Sequence, residues 1–99
     1  MEGFSDKKVE ILMKAIEKYG DKAQILQSIE EMSELTKELL KNVNRNSKNV
    51  NEIIEEMADV QIMIIQLIMI YSEKDSEMKN KFWGAIDYKI LRLKERLEK

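Results

Sequence analysis

The chain has 99 residues, of which 43% are hydrophobic and 36% are charged, with 17 basic and 19 acidic side chains. This length fits a single domain over residues 1–99 with a small core, and the nearly balanced charge gives no basic field for stable nucleic-acid binding. Cysteine and histidine are both absent. Disulfides, thiolate metal sites and Ser-His-Asp catalysis are therefore excluded, and any chemistry must use carboxylates, lysines, hydroxyls and bound metal.

The first half of the chain predicts two helices. Apolar residues recur at helical spacing, proline is absent and glycine is rare, which indicates an all-α fold of the four-helix bundle type. The first helix is predicted over residues 6–19, with Gly20 ending it. The second is predicted from Asp21, as its N-cap, to about residue 43. Residues 44–49 are rich in Asn and Ser and predict the loop that follows.

The second half of the chain predicts two further helices. Asn51 is expected to cap a third helix that runs to about residue 71. A fourth is expected from residue 75 or 76 to the C-terminus, where Gly84 predicts a kink or a close helix contact. The most apolar stretch, residues 57–71, is shorter than the roughly 20 residues that span a membrane, and residues 1–6 lack the pattern of a signal peptide. We therefore expect a cytoplasmic protein with no membrane association.

Two short acidic blocks are the most informative feature of the sequence. Glu30-Glu31-x-x-Glu34 and Glu56-x-x-Asp59 are separated by 21 residues. Spacing of i, i+3 puts the acids of each block on one helix face, and antiparallel packing of the two helices would bring those faces together. Clustered carboxylates repel one another unless a cation lies between them, and oxygen ligands suit Mg²⁺ or Mn²⁺. The blocks therefore predict a divalent-metal site.

Helical periodicity predicts which faces are buried. On the second helix the expected core face comprises Ile25, Ile29, Met32, Leu39, Leu40 and Val43. On the third, Glu56 and Asp59 share a stripe with apolar residues, namely Val60, Met63, Leu67 and Ile70. The third helix is apolar on nearly every side, which predicts a homo-oligomer, a dimer or tetramer, with this helix at the interface. Glu38 is expected at an exposed position outside the metal site.

The two acidic blocks and the words around them resemble the MazG-like all-α nucleoside triphosphate pyrophosphohydrolases. The matching words are Leu26-Gln27-Ser28-Ile29-Glu30-Glu31 and Ile54-Glu55-Glu56-Met57-Ala58-Asp59-Val60. The resemblance covers residues 20–72 and, more loosely, the basic segment of residues 89–93. It implies Mg²⁺-dependent hydrolysis of a nucleoside triphosphate between the α and β phosphates, giving a monophosphate and pyrophosphate. The role implied is nucleotide house-cleaning or control of a nucleotide pool.

The resemblance also implies roles for individual residues. The implied metal ligands are Glu31, Glu34, Glu56 and Asp59. Glu30 and Glu31 are the implied catalytic residues, with Glu30 acting as an outer group, an extra ligand or a base that orients water. Lys89 and Arg92, at i, i+3 spacing, and Gln27, one turn before the acids, are predicted to contact the nucleotide. The aromatic residues either stack on the base or belong to the core; they are Tyr71, Phe82, Trp83 and Tyr88.

Two alternative functions remain open at this stage. Phosphoribosyl-ATP pyrophosphohydrolase shares the fold and a similar motif, but a Tyr-His pair is expected shortly after its second acidic block. Residues 62–64 are apolar here, and the chain has no histidine. A non-enzymatic helical interaction module, such as an antitoxin-like adaptor, predicts neither metal dependence nor a need for the inward acids.

Overall fold

The computed structural model describes residues 5–99, and within them the chain forms four α-helices and no strand. The helices are α1 (Asp6–Tyr19), α2 (Asp21–Arg45), α3 (Val50–Ser72) and α4 (Met78–Leu97). The predicted all-α fold is confirmed. None of the described helices combines the length and apolar character needed to cross a membrane. The expectation about residues 1–6 falls largely outside the described residues.

Helices α1 and α2 meet at a single glycine. Ser5 precedes α1, and its hydroxyl accepts a hydrogen bond from the Lys8 amide at 3.3 Å. Gly20 ends α1, with its amide donating to the carbonyl of Ile16 at 2.8 Å, and α2 begins at the next residue. The φ of Gly20 is +90°, which side chains with a Cβ disfavour. The predicted bounds of α1 and its glycine stop are confirmed.

Asn49 joins the start of α3 to α2. Its side-chain amide is buried and donates to the carbonyl of Glu38 at 2.9 Å and to Glu38 Oε1 at 3.2 Å. Asn42 Nδ2 in turn donates to Asn49 Oδ1 at 3.2 Å. The predicted N-cap Asn51 is therefore wrong, because α3 begins earlier, at Val50. Helix α2 also continues past residue 43, and it ends where Asn46 takes a left-handed conformation with φ 52°.

The core surrounds the second half of α3. The buried apolar side chains are Met63, Ile65 and Ile70, and α3 packs mainly against α2, with smaller contacts to α1 and α4. Gln66 is also buried, and its Nε2 donates to the carbonyl of Leu12 in α1 at 3.3 Å. Its Oε1 has no hydrogen-bond partner among the described residues. This half of α3 is covered as predicted, whereas its first half is not.

The expected core face of α2 is wrong for the single chain. Of the predicted residues Ile25 is half-buried, while the others are exposed, namely Ile29, Met32, Leu39, Leu40 and Val43. The side of α2 that is shielded from solvent is mostly polar and carries Gln24, Ser28, Glu31, Leu35, Glu38 and Asn42. At the start of α3, Val50, Ile54 and Met57 are exposed as well. We call these exposed residues of α2 and α3 the hairpin apolar surface.

Helix α4 leaves the bundle after its first turns. Asp75 precedes it, accepting from the Glu77 amide at 2.9 Å and from Lys81 Nζ at 2.7 Å, so the helix begins at Met78 instead of at 75 or 76. Among the described helices α4 packs only against α3, and every residue from 87 to 99 is exposed. Gly84 lies in a continuous helix with no atom near its missing Cβ, so the expected close contact there is wrong.

Candidate metal centre

Three carboxylates from α2 and α3 come together. One oxygen each from Glu31, Glu56 and Asp59 lies within 4.8 Å of the corresponding oxygens of the other two. Around an octahedral Mg²⁺ at about 2.1 Å, neighbouring ligand oxygens are roughly 3 Å apart and opposite ones roughly 4 Å apart. Small side-chain rotations would therefore let all three oxygens reach one ion. Both acidic blocks contribute to this cluster, as the sequence predicted.

The register between α2 and α3 follows from the Asn49 contact. Glu38 lies seven residues after Glu31, and Glu56 lies seven residues after Asn49. Seven residues make about two helical turns. The helices run antiparallel, so moving two turns back along α2 from Glu38 and two turns forward along α3 from Asn49 leads to the same level of the hairpin. Glu31 therefore lies opposite Glu56. Asn49 therefore positions the carboxylates without touching them.

The environment of Glu56 raises its pKa above the ordinary value. Burial is the main cause, and the negative charges of Glu31, Asp59, Glu34 and Glu38 add to it in that order. Glu56 Oε2 has almost no accessible surface and no hydrogen-bond partner among the described residues. A buried oxygen without a partner is costly, and a bound cation would supply what it lacks. The donor set thus fits a hard divalent ion.

Positive side chains do not neutralise the cluster. The ion pairs within residues 5–99 join Lys14 to Glu10, Lys41 to Glu38, Lys81 to Asp75 and Lys94 to Glu98, and none of them includes a clustered acid. The three carboxylates therefore face one another's negative charge. This arrangement favours either a proton on Glu56 or a bound cation.

The other two predicted acids lie outside the group of three. Glu34 is exposed, yet it is near enough for its charge to raise the pKa of Glu56. Glu30 is exposed on the same helix. The structure thus brings together three of the four predicted ligands and leaves Glu34 and Glu30 at the solvent side of α2. Asp59 is exposed as well, so the predicted buried stripe is wrong at that position, and Glu31 and Glu56 are the shielded members of the cluster.

Gln27 contacts a carboxylate of the cluster. Its Nε2 donates to Glu31 Oε1 at 2.8 Å, one helical turn away. Metal ligands are commonly held by such hydrogen bonds, which fix their orientation. Sequence reasoning predicted Gln27 as a contact for the nucleotide, and the observed bond gives it a role in orienting Glu31.

Glu38 was expected to be exposed, and this expectation is wrong. Its side chain is only 13% exposed and pairs with Lys41 at 3.1 Å. The hydrogen bond from Asn49 and then that from Lys41 hold the pKa of Glu38 below its ordinary value. Asn49, the residue that sequence reasoning missed, lies in an Asn-rich loop where several residues look equivalent. Only the three-dimensional structure shows that Asn49 is buried, which distinguishes it from the other Asn residues of the loop.

The predicted phosphate-binding residues lie apart from the acids in a single chain. Lys89 and Arg92 are on the exposed part of α4, where they line a small concavity with Arg96. Arg92 also lies over the ring of Tyr88, at 5.8 Å from its centroid. Helix α4 makes no contact with α2, so these cations do not meet Glu31 within one chain.

The aromatic residues show no common site. Phe82 and Trp83 contact each other edge to face, with ring centroids 5.3 Å apart. Trp83 lines a cavity of about 550 Å³ between α1, α3 and α4, at the other end of α3 from the acids.

Comparisons with protein-family models, curated proteins and solved structures found no match to this chain.

Proposed function

We propose that this protein is a Mg²⁺-dependent nucleoside triphosphate pyrophosphohydrolase that acts as a homo-oligomer in the cytoplasm. The observation that carries the proposal is the cluster of Glu31, Glu56 and Asp59 between two helices, with a buried and unpartnered oxygen on Glu56. A chain selected for stability alone would place apolar residues there. The resemblance of both acidic blocks to the MazG-like family gives the cluster its proposed reaction.

Each acidic residue of the two blocks, and Gln27, would have a separate role in the proposed reaction. Glu31, Glu56 and Asp59 would hold the metal, and Glu34 would complete its shell or bind a second ion. Such an ion neutralises phosphate oxygens and lowers the pKa of bound water. Gln27 keeps Glu31 oriented, and Glu30, at the solvent side of α2, would orient water. No histidine or cysteine nucleophile is required, in keeping with the composition.

A second copy of the chain would cover the hairpin apolar surface. Large exposed apolar side chains in such number on one helical hairpin are typical of an interaction surface. Val43 is 77% exposed, and Ile54 and Met57 are each more than half exposed. We propose that this surface forms the interface of the homo-oligomer, beside the helices that carry the acids.

A substrate screen tests the proposed reaction. The parent protein is incubated with each common and modified nucleoside triphosphate in the presence of Mg²⁺, and pyrophosphate and orthophosphate are measured separately. Pyrophosphate together with the nucleoside monophosphate is the expected product pair. Release of orthophosphate, or no turnover with any nucleotide, would contradict the proposed cleavage.

Conservative variants test whether activity depends on the three clustered carboxylates or only on the overall negative charge of the protein. Glu31→Gln, Glu56→Gln and Asp59→Asn each remove a ligand charge at nearly constant volume. We expect each to lose most of the activity and to bind Mn²⁺ more weakly in a titration followed by electron paramagnetic resonance. The matched control is Glu55→Gln, because Glu55 is exposed and is the neighbour of Glu56 on the same helix. An equal loss in the control would attribute the effect to overall charge.

The hairpin apolar surface also supports a second candidate, a non-enzymatic interaction module. Such a module would place its binding energy in residues such as Val43 and Ile54 and would not need the acids. The Mn²⁺ titration distinguishes the two candidates without reference to turnover. A parent protein that binds no Mn²⁺ at millimolar concentration favours the module over the enzyme.

A further inference from the structure

The cavity between α1, α3 and α4 has the size of a small-molecule site. Its volume of about 550 Å³ falls within the range of roughly 300–1,000 Å³ that is usual for ligand pockets. Most of its walls are apolar side chains of α1 and α3, such as Ile16, Ile68 and Met69, and Trp83 of α4 completes them. Trp83 is 37% exposed, so part of its ring is free for a ligand. The walls therefore suit an apolar group.

The polar groups of this cavity favour a positive partner. Among the described residues that line it, the acids are Asp6, Glu17 and Glu73. Lys79 is the one cation there, so three negative charges and one positive leave a net charge of −2. Ser72 also lines the cavity, and its hydroxyl already donates its hydrogen to a carbonyl of α3 at 2.5 Å. A bound group that is positive and donates hydrogen bonds is therefore preferred to an anion.

Two of the three acids lie where a helix disfavours negative charge. Glu17 is in the last turn of α1, and Glu73 directly follows α3. The carbonyl end of a helix is stabilised by cations, yet neither acid takes part in an ion pair within residues 5–99. The neighbouring cations, Lys18 and Lys74, lie instead over tyrosine rings, at 5.5 and 5.8 Å from the ring centroids. Asp6, by contrast, begins α1, where a negative charge stabilises the helix.

We propose that this cavity binds an amphiphilic amine, that is, an apolar body that carries a protonated amino group. The body lies against Ile68, Met69 and Trp83, and the ammonium group pairs with Glu17 and Glu73. The face of the Trp83 ring adds a cation–π attraction. A nucleotide is disfavoured here, because its phosphates would meet the acids. The site is therefore separate from the metal centre, and it goes beyond the proposed hydrolysis.

Three probes that share one alkyl chain and differ in charge test the proposal: octylamine, octanoate and 1-octanol. Trp83 is the only tryptophan of the chain, so its fluorescence reports on the cavity directly. Octylamine should change this fluorescence saturably at neutral pH, with one site per chain in isothermal titration calorimetry, and should bind about tenfold more tightly than octanoate. Octanoate that binds as tightly, octylamine that shows no saturable binding, or heat of binding without a response of Trp83 would overturn the proposal.

Charge variants test the role of the acids. Glu17→Gln and Glu73→Gln should each weaken octylamine binding about threefold and leave 1-octanol binding unchanged, whereas Lys79→Gln should strengthen it. All three residues are exposed, so the variants should keep the parent's fold, which circular dichroism checks. The matched control is Glu95→Gln, because Glu95 is exposed on α4 and does not line the cavity. Cavity variants that bind octylamine like the parent, or an equal loss in the control, would overturn the proposal. Metal and nucleotide are absent from these titrations, so a negative result leaves the proposed function untouched.

Discussion

Replacing Asn49 by alanine tests whether one buried amide sets the position of the candidate metal centre. The Asn49 side chain makes three hydrogen bonds to α2, two to Glu38 and one from Asn42. Each contributes about 0.5–1.5 kcal/mol net, and removal also leaves buried groups without partners, so the loss should be about 2 kcal/mol. For a chain of this length that corresponds to a fall in melting temperature of roughly 8–16 °C.

Thermal unfolding followed by circular dichroism measures this loss, with Asn51→Ala as the matched control. The sequence predicts Asn51 as the helix cap, but it is exposed in the structure, so the control should melt within about 4 °C of the parent. Asn49→Ala should also bind Mn²⁺ more weakly, because Glu31 and Glu56 lose their fixed register. Equal melting temperatures for the two variants would refute the role given to Asn49.

Three further perturbations concern the buried polar groups and the metal. Added Mg²⁺ should raise the melting temperature of the parent by several degrees, because the ion binds only the folded form, whereas Asp59→Asn should show no rise; a parent curve unchanged by Mg²⁺ contradicts the site. Glu56 has a raised pKa when folded, so the metal-free protein should lose stability as the pH rises from 4.5 through that pKa. Glu56→Gln should then be more stable than the parent at pH 7 and lose this advantage below about pH 4. If the difference in unfolding free energy between the two proteins is the same at both pH values, ionisation of Glu56 is not its cause. Gln66→Met removes an unpartnered buried oxygen, which costs about 1–3 kcal/mol, and also the bond from Nε2 to the Leu12 carbonyl, which contributes about 0.5–1.5 kcal/mol. On balance it should raise stability by up to about 1 kcal/mol in urea unfolding, whereas a lower midpoint would indicate that this oxygen has a partner.

Local sequence signals predicted the helices well. Gly20 ends α1 where expected, since its positive φ and the capping bond to Ile16 depend on residues close in the chain. The errors at the starts of α3 and α4 occur where a side chain bonds beyond its own turn. The sequence favours Asn51 over Asn49 as the helix cap, because the partner of Asn49, Glu38, lies eleven residues away. Asp75 likewise binds Lys81 and delays the start of α4.

The side of α2 that faces α3 could not be predicted from its apolar pattern. Periodicity identifies an apolar stripe but not what covers it, and here residues such as Ile29 and Val43 are exposed in the single chain. The acidic motif was the better guide, since Glu31 and Glu56 do face each other. Glu34 was grouped with them because i, i+3 spacing allows it. Its actual exposure depends on how α2 is rotated about its axis, which spacing alone does not fix.

All three clustered acids lie on the α2–α3 hairpin, and this separates two kinds of evolutionary change. Residues of α1 and α4 add no carboxylate to the cluster, so substitutions there can reshape the cavity and the surfaces around it without changing the three carboxylates. Changes within the hairpin are constrained together, because Glu31 and Glu56 depend on the register set at Asn49. A fold built this way can acquire new surface properties through its two outer helices while its acidic cluster stays the same.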